Sequence, residues 1–140
     1  MIRDYELSDG NTIYDLLCEL EETKIDKEGF NIAYMKQFND DNYRCLLYEE
    51  DDEIKGMINM RLEHQLHHGG IVAEIMELFV KEKYRLNGIG KKLLAEAIKI
   101  ARDEGCLRIE LSSSNWRTDS HRFYQDSGFI ASHVNLTLDL

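Results

Sequence analysis

The sequence predicts a single α/β (α+β) domain in which a mixed, mostly antiparallel central sheet is flanked by helices, in the order β-α-α-β-β-β-α-β-α-β. Three observations predict it. Four segments repeat apolar residues at helical spacing, and six others alternate or run apolar as strands do. A glycine turn, Gly88-Ile89-Gly90, joins the most apolar strand to the most regular amphipathic helix. The length of 140 residues suits one domain, residues 1–140, and is too short for a second independent core.

Each element has its own signal. Residues 1–6 read as a short strand; Ile13, Leu16, Leu17 and Leu20 then set a helix over about 11–23. Phe30, Ala33, Tyr34 and Phe38 give a second, weaker helix that ends in a polar cluster. The segments "YRCLLYEE" and "EIKGMINMRLEH" flank the acidic turn Glu50-Asp51-Asp52 as a hairpin does. "GGIVAEIMELFV" is rich in branched residues and reads as a strand buried on both faces. From Ile89 the apolar positions Leu93, Leu94, Ala97, Ile98 and Ala101 make about four helical turns, closed by Gly105. "LRIELSS" is the next strand. "TDSHRFYQDSG" is a helix capped by Thr118 or Asp119, and "FIASHVNLTLDL" is a last strand.

Composition narrows the function. With 43% hydrophobic and 31% charged residues, nine glycines and no proline, the chain is globular and not disordered. No apolar run approaches the ~20 residues of a membrane span, and "MIRDYELSDG" lacks a signal peptide's apolar core, so a cytoplasmic protein is expected. Three cysteines without CxxC spacing read as reduced and mostly buried. A net charge of −10 disfavours nucleic acid. Its distribution is uneven: residues 81–92 carry Lys81, Lys83, Arg85, Lys91 and Lys92 against Glu82 alone. That basic island coincides with the glycine turn.

A helix opening at Gly88 to Gly90 aims unpaired backbone N–H groups and its positive dipole end over the turn, where glycine lets a ligand approach closely. Phosphate suits such a site. The turn is not a P-loop, since no glycine lies between residues 71 and 87, nor a dinucleotide fingerprint, since Leu93 stands three residues after Gly90. It reads R-x-x-G-x-G, from Arg85 to Gly90.

This motif resembles the acyl-CoA pyrophosphate loop of the GCN5-related N-acetyltransferases (GNAT), and the likeness extends through "ELFVKEKYRLNGIGKKLLAEAIKIARDEGC" to "HRFYQDSGF". "LLCELE", "HQLHH", "AEIMEL" and "DSHRFYQDSGF" are further similar to the bacterial aminoalkylphosphonate N-acetyltransferases. The resemblance implies an acetyl-CoA-dependent enzyme that transfers acetyl directly to a small primary amine, with an aminoalkylphosphonate as the expected acceptor. It implies that the backbone of Leu78, Phe79 and Val80 pairs with the pantetheine arm, and that Arg85, Leu86, Asn87, Gly88, Ile89, Gly90 and Lys91 hold the pyrophosphate. A backbone N–H near Leu78 would polarise the thioester carbonyl, an oxyanion-type contribution of ~2.7–4 kcal/mol.

Direct transfer needs a neutral amine. An alkylamine with a pKa of about 10.4 is neutral about one part in 2,500 at pH 7, a cost of roughly 4.6 kcal/mol. Glu74 and Glu77 are the candidate bases. Strand period puts them on opposite faces, whereas a bulge brings both toward one cleft; Glu74 is slightly favoured. By the resemblance, Tyr124 is the general acid that serves the departing thiolate, and its phenol, ordinarily near pKa 10, holds a proton at neutral pH.

"EHQLHH" leaves three readings open for its histidines: a divalent metal site, contact with an anionic substrate group, or a solvated loop. The spacing is not HExxH, and no structural metal is expected. Arg61, His67 and His68 are candidate substrate contacts, since a phosphonate requires local cations, and Arg44 and Arg117 could also serve. Asn115 and Trp116, after the strand over 107–112, have two readings, a lining of the cofactor channel or a structural turn, and the turn is favoured because Asn and Ser prefer turns. An acetyltransferase for other amines or protein lysines, and a silent acyl-CoA-binding module, are the competing functions. Family members commonly dimerise, so a homodimer is an open expectation.

Overall fold

The computed structural model describes residues 1–140, which fall into two compact units, Met1–Glu110 and Leu111–Leu140. The first contains β1 (Ile2–Asp4), α1 (Gly10–Glu21), α2 (Lys27–Phe38), β2 (Tyr43–Glu50), β3 (Glu53–Gln65), β4 (Gly70–Val80) and α3 (Ile89–Asp103). Strand β5 (Arg108–Leu111) runs into the boundary, and α4 (Thr118–Asp126) lies in the second unit. Single 3-10 turns occupy Leu7–Asp9, Leu66–His68 and Glu82–Tyr84. The sheet order is β1-β2-β3-β4-β5, with antiparallel pairing from β1 to β4.

The β2–β3 hairpin turns on Asp51 and Asp52, both at positive φ (55° and 60°), the pair of left-handed residues that a two-residue primed turn demands. Short acidic side chains tolerate that region better than most. Lys55 balances their charge, reaching Glu50 at 2.7 Å and Asp51 at 3.6 Å. The helix α2 begins at Lys27, before its apolar repeat, because the Asp26 side chain accepts the Gly29 N–H at 2.8 Å and caps it.

The two sheet faces carry separate cores. On one, Cys45, Leu47, Met57 and Phe79 pack with Ile13 and Leu16 of α1, and Phe30 and Tyr34 of α2 close over them. On the other lies α3, whose Ile89, Leu93, Leu94, Ala97 and Ala101 are buried. Gly56 sets that approach: a Cβ there would stand 3.3 Å from side-chain atoms of Ile89 and Leu93 and 3.0 Å from the Phe79 carbonyl. Leu47 and Leu93 are wholly buried, and truncating Leu93 to alanine costs about 2–5 kcal/mol.

Three expectations are corrected. The strand expected to be buried on both faces is so only in part: in β4 Val72, Ala73, Ile75 and Phe79 are buried, while Leu78 and Val80 are half-buried. The helix α4 is capped by neither Thr118 nor Asp119; both lie in its first turn, with Arg117 at the cap position, and Asp119 complements the helix dipole there. The last strand does not form. Residues 129–140 adopt no regular secondary structure, and the Phe129 N–H bond to the Tyr124 carbonyl is the final backbone hydrogen bond of the chain. Alternation alone does not make a strand; a ladder partner must satisfy its N–H and C=O groups, and the chain supplies none.

The three cysteines are free, with Cys45 buried and Cys18 and Cys106 half-buried. No helix is long and apolar enough to cross a membrane.

Candidate active site

Where β4 meets α3, the chain passes through Arg85, then Leu86 at φ +67°, then Gly88 at φ +79°. Leu86 is fully exposed in a region that costs a β-carbon strain, so the surrounding turn holds it there. Gly88 is the cap residue of α3 and offers no side-chain acceptor, and the first turn holds no acidic residue. The N–H groups at the front of α3 are thus aimed outward, and a Cβ at Gly88 would meet nothing within 4 Å. Space and donors together fit a phosphate group. The first intrahelical bond runs from the Lys92 N–H to the Gly88 carbonyl at 3.1 Å.

The basic island divides in two. The Glu53 carboxylate accepts the Tyr84 hydroxyl and Lys81 Nζ, the latter at 2.9 Å, and these two hydrogen bonds, with the charge of Lys83 3.8 Å away, hold its carboxyl well below its usual range, at about 2. Those two lysines are structural. Arg85 donates from Nε to the Val80 carbonyl at 2.9 Å and stacks over the Phe79 ring, tying the loop to the end of β4. Lys91 and Lys92 stay exposed on the first turn of α3. Leu107 donates its N–H to Ile71 near the start of β4 at 2.9 Å. Leu78 lies seven residues further on, ~23 Å along the strand.

The carboxylates are gathered by a bulge. Along the β3–β4 ladder Asn59 pairs with Glu77, Met60 with Ile75 and Arg61 with Glu74, which leaves Met76 as one extra residue. Asn59 and Arg61 are two apart and share a face, so their partners Glu77 and Glu74 share it too. The face is that of α1 and α2. The two carboxylates nevertheless differ. Glu74 is paired with Arg61 at 3.5 Å and is 42% exposed. Glu77 accepts Asn59 Nδ2 at 2.9 Å, and burial pushes its carboxyl up, with Asn59 opposing.

Glu77 opens on a cavity of about 90 Å³ whose walls include Tyr5, Phe30 and Tyr34, and whose polar side is Gln37, Asn59 and Glu77. Cys45 also reaches this cavity, but burial drives its thiol pKa far upward, so it offers no thiolate nucleophile. Sequence reasoning missed Gln37 and Asn59. A lone asparagine in the apolar run Gly56-Met57-Ile58-Asn59-Met60 was the available signal.

Arg61 Nη2 lies 3.5 Å from both Glu63 and Glu74, and its buried Nε has no acceptor. His68 donates from Nδ1 to Gln65 at 2.7 Å, which leaves Nε2 to accept from Arg108 at 3.3 Å; the His67 ring packs on His68 at 4.1 Å. Arg44 is bound to Glu104 at 3.0 Å. No group of three or more His, Cys, Asp or Glu side chains gathers as metal ligands, so the divalent metal reading of the histidines finds no ligand set.

In the second unit, Tyr124 sits on α4 between the rings of Phe123 and Phe129, at 5.2 and 5.5 Å. Burial pushes its phenol up to about 12, with Arg117 opposing, so it is protonated throughout the neutral range. Asn115 and Trp116 form a turn, as expected, and Arg117 lies over the Trp116 ring.

Residues 10–129 match the Acetyltransferase (GNAT) family. The chain is 35% identical over 136 residues to the aminoalkylphosphonate N-acetyltransferase of Salmonella typhimurium, covering 97% of this chain and 88% of that one. It is 30% identical over 142 residues to the glucosamine 6-phosphate N-acetyltransferase of Trypanosoma brucei brucei, covering 99% and 95%. Among solved structures, a Bacillus halodurans protein described as a transcriptional regulator superposes with a TM-score of 0.91 at 26% identity, covering 100% of this chain and 99% of that one. A Trypanosoma brucei acetyltransferase does so with a TM-score of 0.81 at 28% identity, again covering 100% and 99%.

Proposed function

Since the chain belongs to the Acetyltransferase (GNAT) family and is an acetyl-CoA-dependent N-acetyltransferase, we propose that its acceptor is a small primary amine carrying a phosphorus oxyanion, first of all an aminoalkylphosphonate. The observation that carries this reading is the chemistry named for two of its relatives: one is an aminoalkylphosphonate N-acetyltransferase, the other a glucosamine 6-phosphate N-acetyltransferase. Both acceptors join an amine to a phosphorus oxyanion. Arg61, with its unpaired Nε, and Arg108, with His67 and His68 beside it, are the groups we assign to that oxyanion. The two compact units act as one catalytic domain in this reading, supported by a family match that spans both.

Acetyl-CoA supplies the activated acetyl group as a thioester. The front of α3, from Arg85 to Lys91, holds the diphosphate, and the backbone of Leu78, Phe79 and Val80 lies along the pantetheine arm. Glu77 takes the amine proton. It shares its face with Glu74, but Glu74 is engaged by Arg61, whereas the Glu77 carboxyl opens on the cavity and its raised pKa makes it the stronger base. Glu74 supports it by holding Arg61. The absence of a thiolate at Cys45 supports direct transfer over an acyl-cysteine route.

Tyr124 serves the leaving thiolate. Full transfer from a phenol near 12 to a thiolate of ordinary pKa 8.5 is uphill by roughly 4.8 kcal/mol. Its role is therefore to donate a strong hydrogen bond that develops as negative charge reaches sulfur.

A homodimer is favoured by one observation. In residues 129–140 the apolar side chains alternate, and Val134, Leu136 and Leu138 are 84–88% exposed. A second copy carries the same unpaired, apolar stretch and can cover it symmetrically.

The test is thiol release from acetyl-CoA against 2-aminoethylphosphonate, glucosamine 6-phosphate, a diamine and a lysine peptide, with and without EDTA. Turnover highest with 2-aminoethylphosphonate and indifferent to EDTA supports the reading. Preference for the peptide or the diamine overturns it, and tight acetyl-CoA binding without any turnover points to a silent binding module.

A further inference from the structure

Asn59 is 7% exposed, in the middle of β3, and its amide is half used. Both of its Nδ2 hydrogens are committed, to Gln37 Oε1 at 3.0 Å and to Glu77 Oε2 at 2.9 Å. Its Oδ1 is buried and accepts nothing. A buried acceptor without a donor is unfavourable, and native interiors rarely keep one. No lysine, arginine or histidine lines the cavity, so no cationic side chain there meets this oxygen. The carboxylate of Glu77 beside it is also an acceptor when ionised. Asn59 and Glu77 both line the cavity, and two neighbouring acceptors there suit a ligand group with at least two N–H donors.

The cavity limits what can carry that group. At about 90 Å³ it is smaller than an apolar cavity of about 150 Å³ that just holds benzene. An aminomethyl or aminoethyl head fits; a pyranose ring does not. The rings of Tyr5, Phe30 and Tyr34 suit methylene groups and the face of an ammonium. Glu77 is the only charged group on the lining, so an oxyanion stays outside while the amine enters.

We propose that Asn59 Oδ1 is the positioning acceptor for the substrate amine, forming with Glu77 a two-point cradle that admits an unbranched aminoalkyl head and rejects an amine borne on a sugar ring. The proposal rests on the acetyltransferase reading above and sharpens it. Asn59 holds one amine N–H so that another points at the Glu77 carboxylate, and Gln37 fixes the asparagine amide in the orientation that leaves Oδ1 facing the ligand.

The experiment uses the full chain and its Asn59→Ala variant with 2-aminoethylphosphonate, propylamine and glucosamine 6-phosphate as acceptors, and ethylphosphonate, which lacks the amine, as a competing ligand. The expected result is a KM for both aminoalkyl acceptors raised about tenfold in the variant, one hydrogen bond or 1.4 kcal/mol. The KM for acetyl-CoA and the inhibition constant of ethylphosphonate stay unchanged. A merely structural role would move all of these together. In the wild-type chain glucosamine 6-phosphate is used at least about 100-fold less efficiently than 2-aminoethylphosphonate. An unchanged amine KM in the variant, a parallel loss of ethylphosphonate binding, or equal use of the amino sugar overturns the cradle. If propylamine is used as well as the phosphonate and still depends on Asn59, the cradle stands and the oxyanion preference fails. If no acceptor is acetylated, both fail.

Discussion

Replacing Glu77 by glutamine separates the base from its scaffold. Glutamine keeps an oxygen where Asn59 Nδ2 donates at 2.9 Å, so the β3–β4 bulge and the cavity wall persist. What is lost is the proton acceptor. An amine of pKa about 10.4 is then left to find its neutral form unaided, at about one part in 2,500 at pH 7 and about one part in 25 at pH 9. Loss of a general base lowers the rate by about 10²–10⁴. The variant's kcat/KM should therefore fall at least about 100-fold at pH 7 and recover about 100-fold between pH 7 and 9, with acetyl-CoA affinity unaltered. Stability moves the other way. Burial raises the folded carboxyl above its unfolded value, so the native state is weakened as pH rises through the folded pKa and is relieved as pH falls through it. Glu77→Gln should thus unfold at a higher temperature than wild type at pH 8, with the difference shrinking toward pH 4. Steady-state kinetics and thermal denaturation across this range measure both. A loss under tenfold, or a variant whose profile stays flat from pH 7 to 9, would falsify the assignment of Glu77 as the base.

Tyr124→Phe should lower kcat by ten- to a hundredfold, the loss of one hydrogen bond to a developing charge, while calorimetric acetyl-CoA affinity stays put; unchanged kcat rejects the role. Gly88→Ala forces a β-carbon into φ +79° over an otherwise open approach. It should cost about 1–2 kcal/mol of stability and roughly tenfold in acetyl-CoA affinity, and a variant that binds the cofactor as tightly as wild type counts against the loop. The double change Leu136→Lys, Leu138→Lys should convert a dimer of twice the 16.4 kDa chain mass into monomer by light scattering; a monomer already present in the wild type removes the proposed dimer.

Local signals reached most of this fold because most of it is locally determined. The α3 stripe, the acidic hairpin turn and the Gly88 cap are each set by a few neighbouring residues, and the structure places them where their spacing does. The relation of Glu74 to Glu77 was not legible in that way. Period two separates them, and the extra residue at Met76 exists only in the pairing of β4 with β3. The engagement of Glu74 by Arg61, which leaves Glu77 as the base proposed here, is likewise a cross-strand fact. The tail differs for the opposite reason: "FIASHVNLTLDL" reads as a strand from its own residues, but a strand needs an edge to pair with, and residues 129–140 carry no ladder hydrogen bond. Asn59 was visible as one polar residue in an apolar run, while its idle oxygen depends on Gln37 and Glu77, from two other elements.

The account depends on the front of α3 gripping a diphosphate, and calorimetry tests that by comparing acetyl-CoA with S-acetylpantetheine, which carries the same thioester and arm without the diphosphate and the 3′-phosphoadenosine attached to it. Two charge-assisted hydrogen bonds lost with it should weaken binding by at least about 100-fold, and more so at low salt. Equal affinity for the two would place the grip elsewhere and contradict the account.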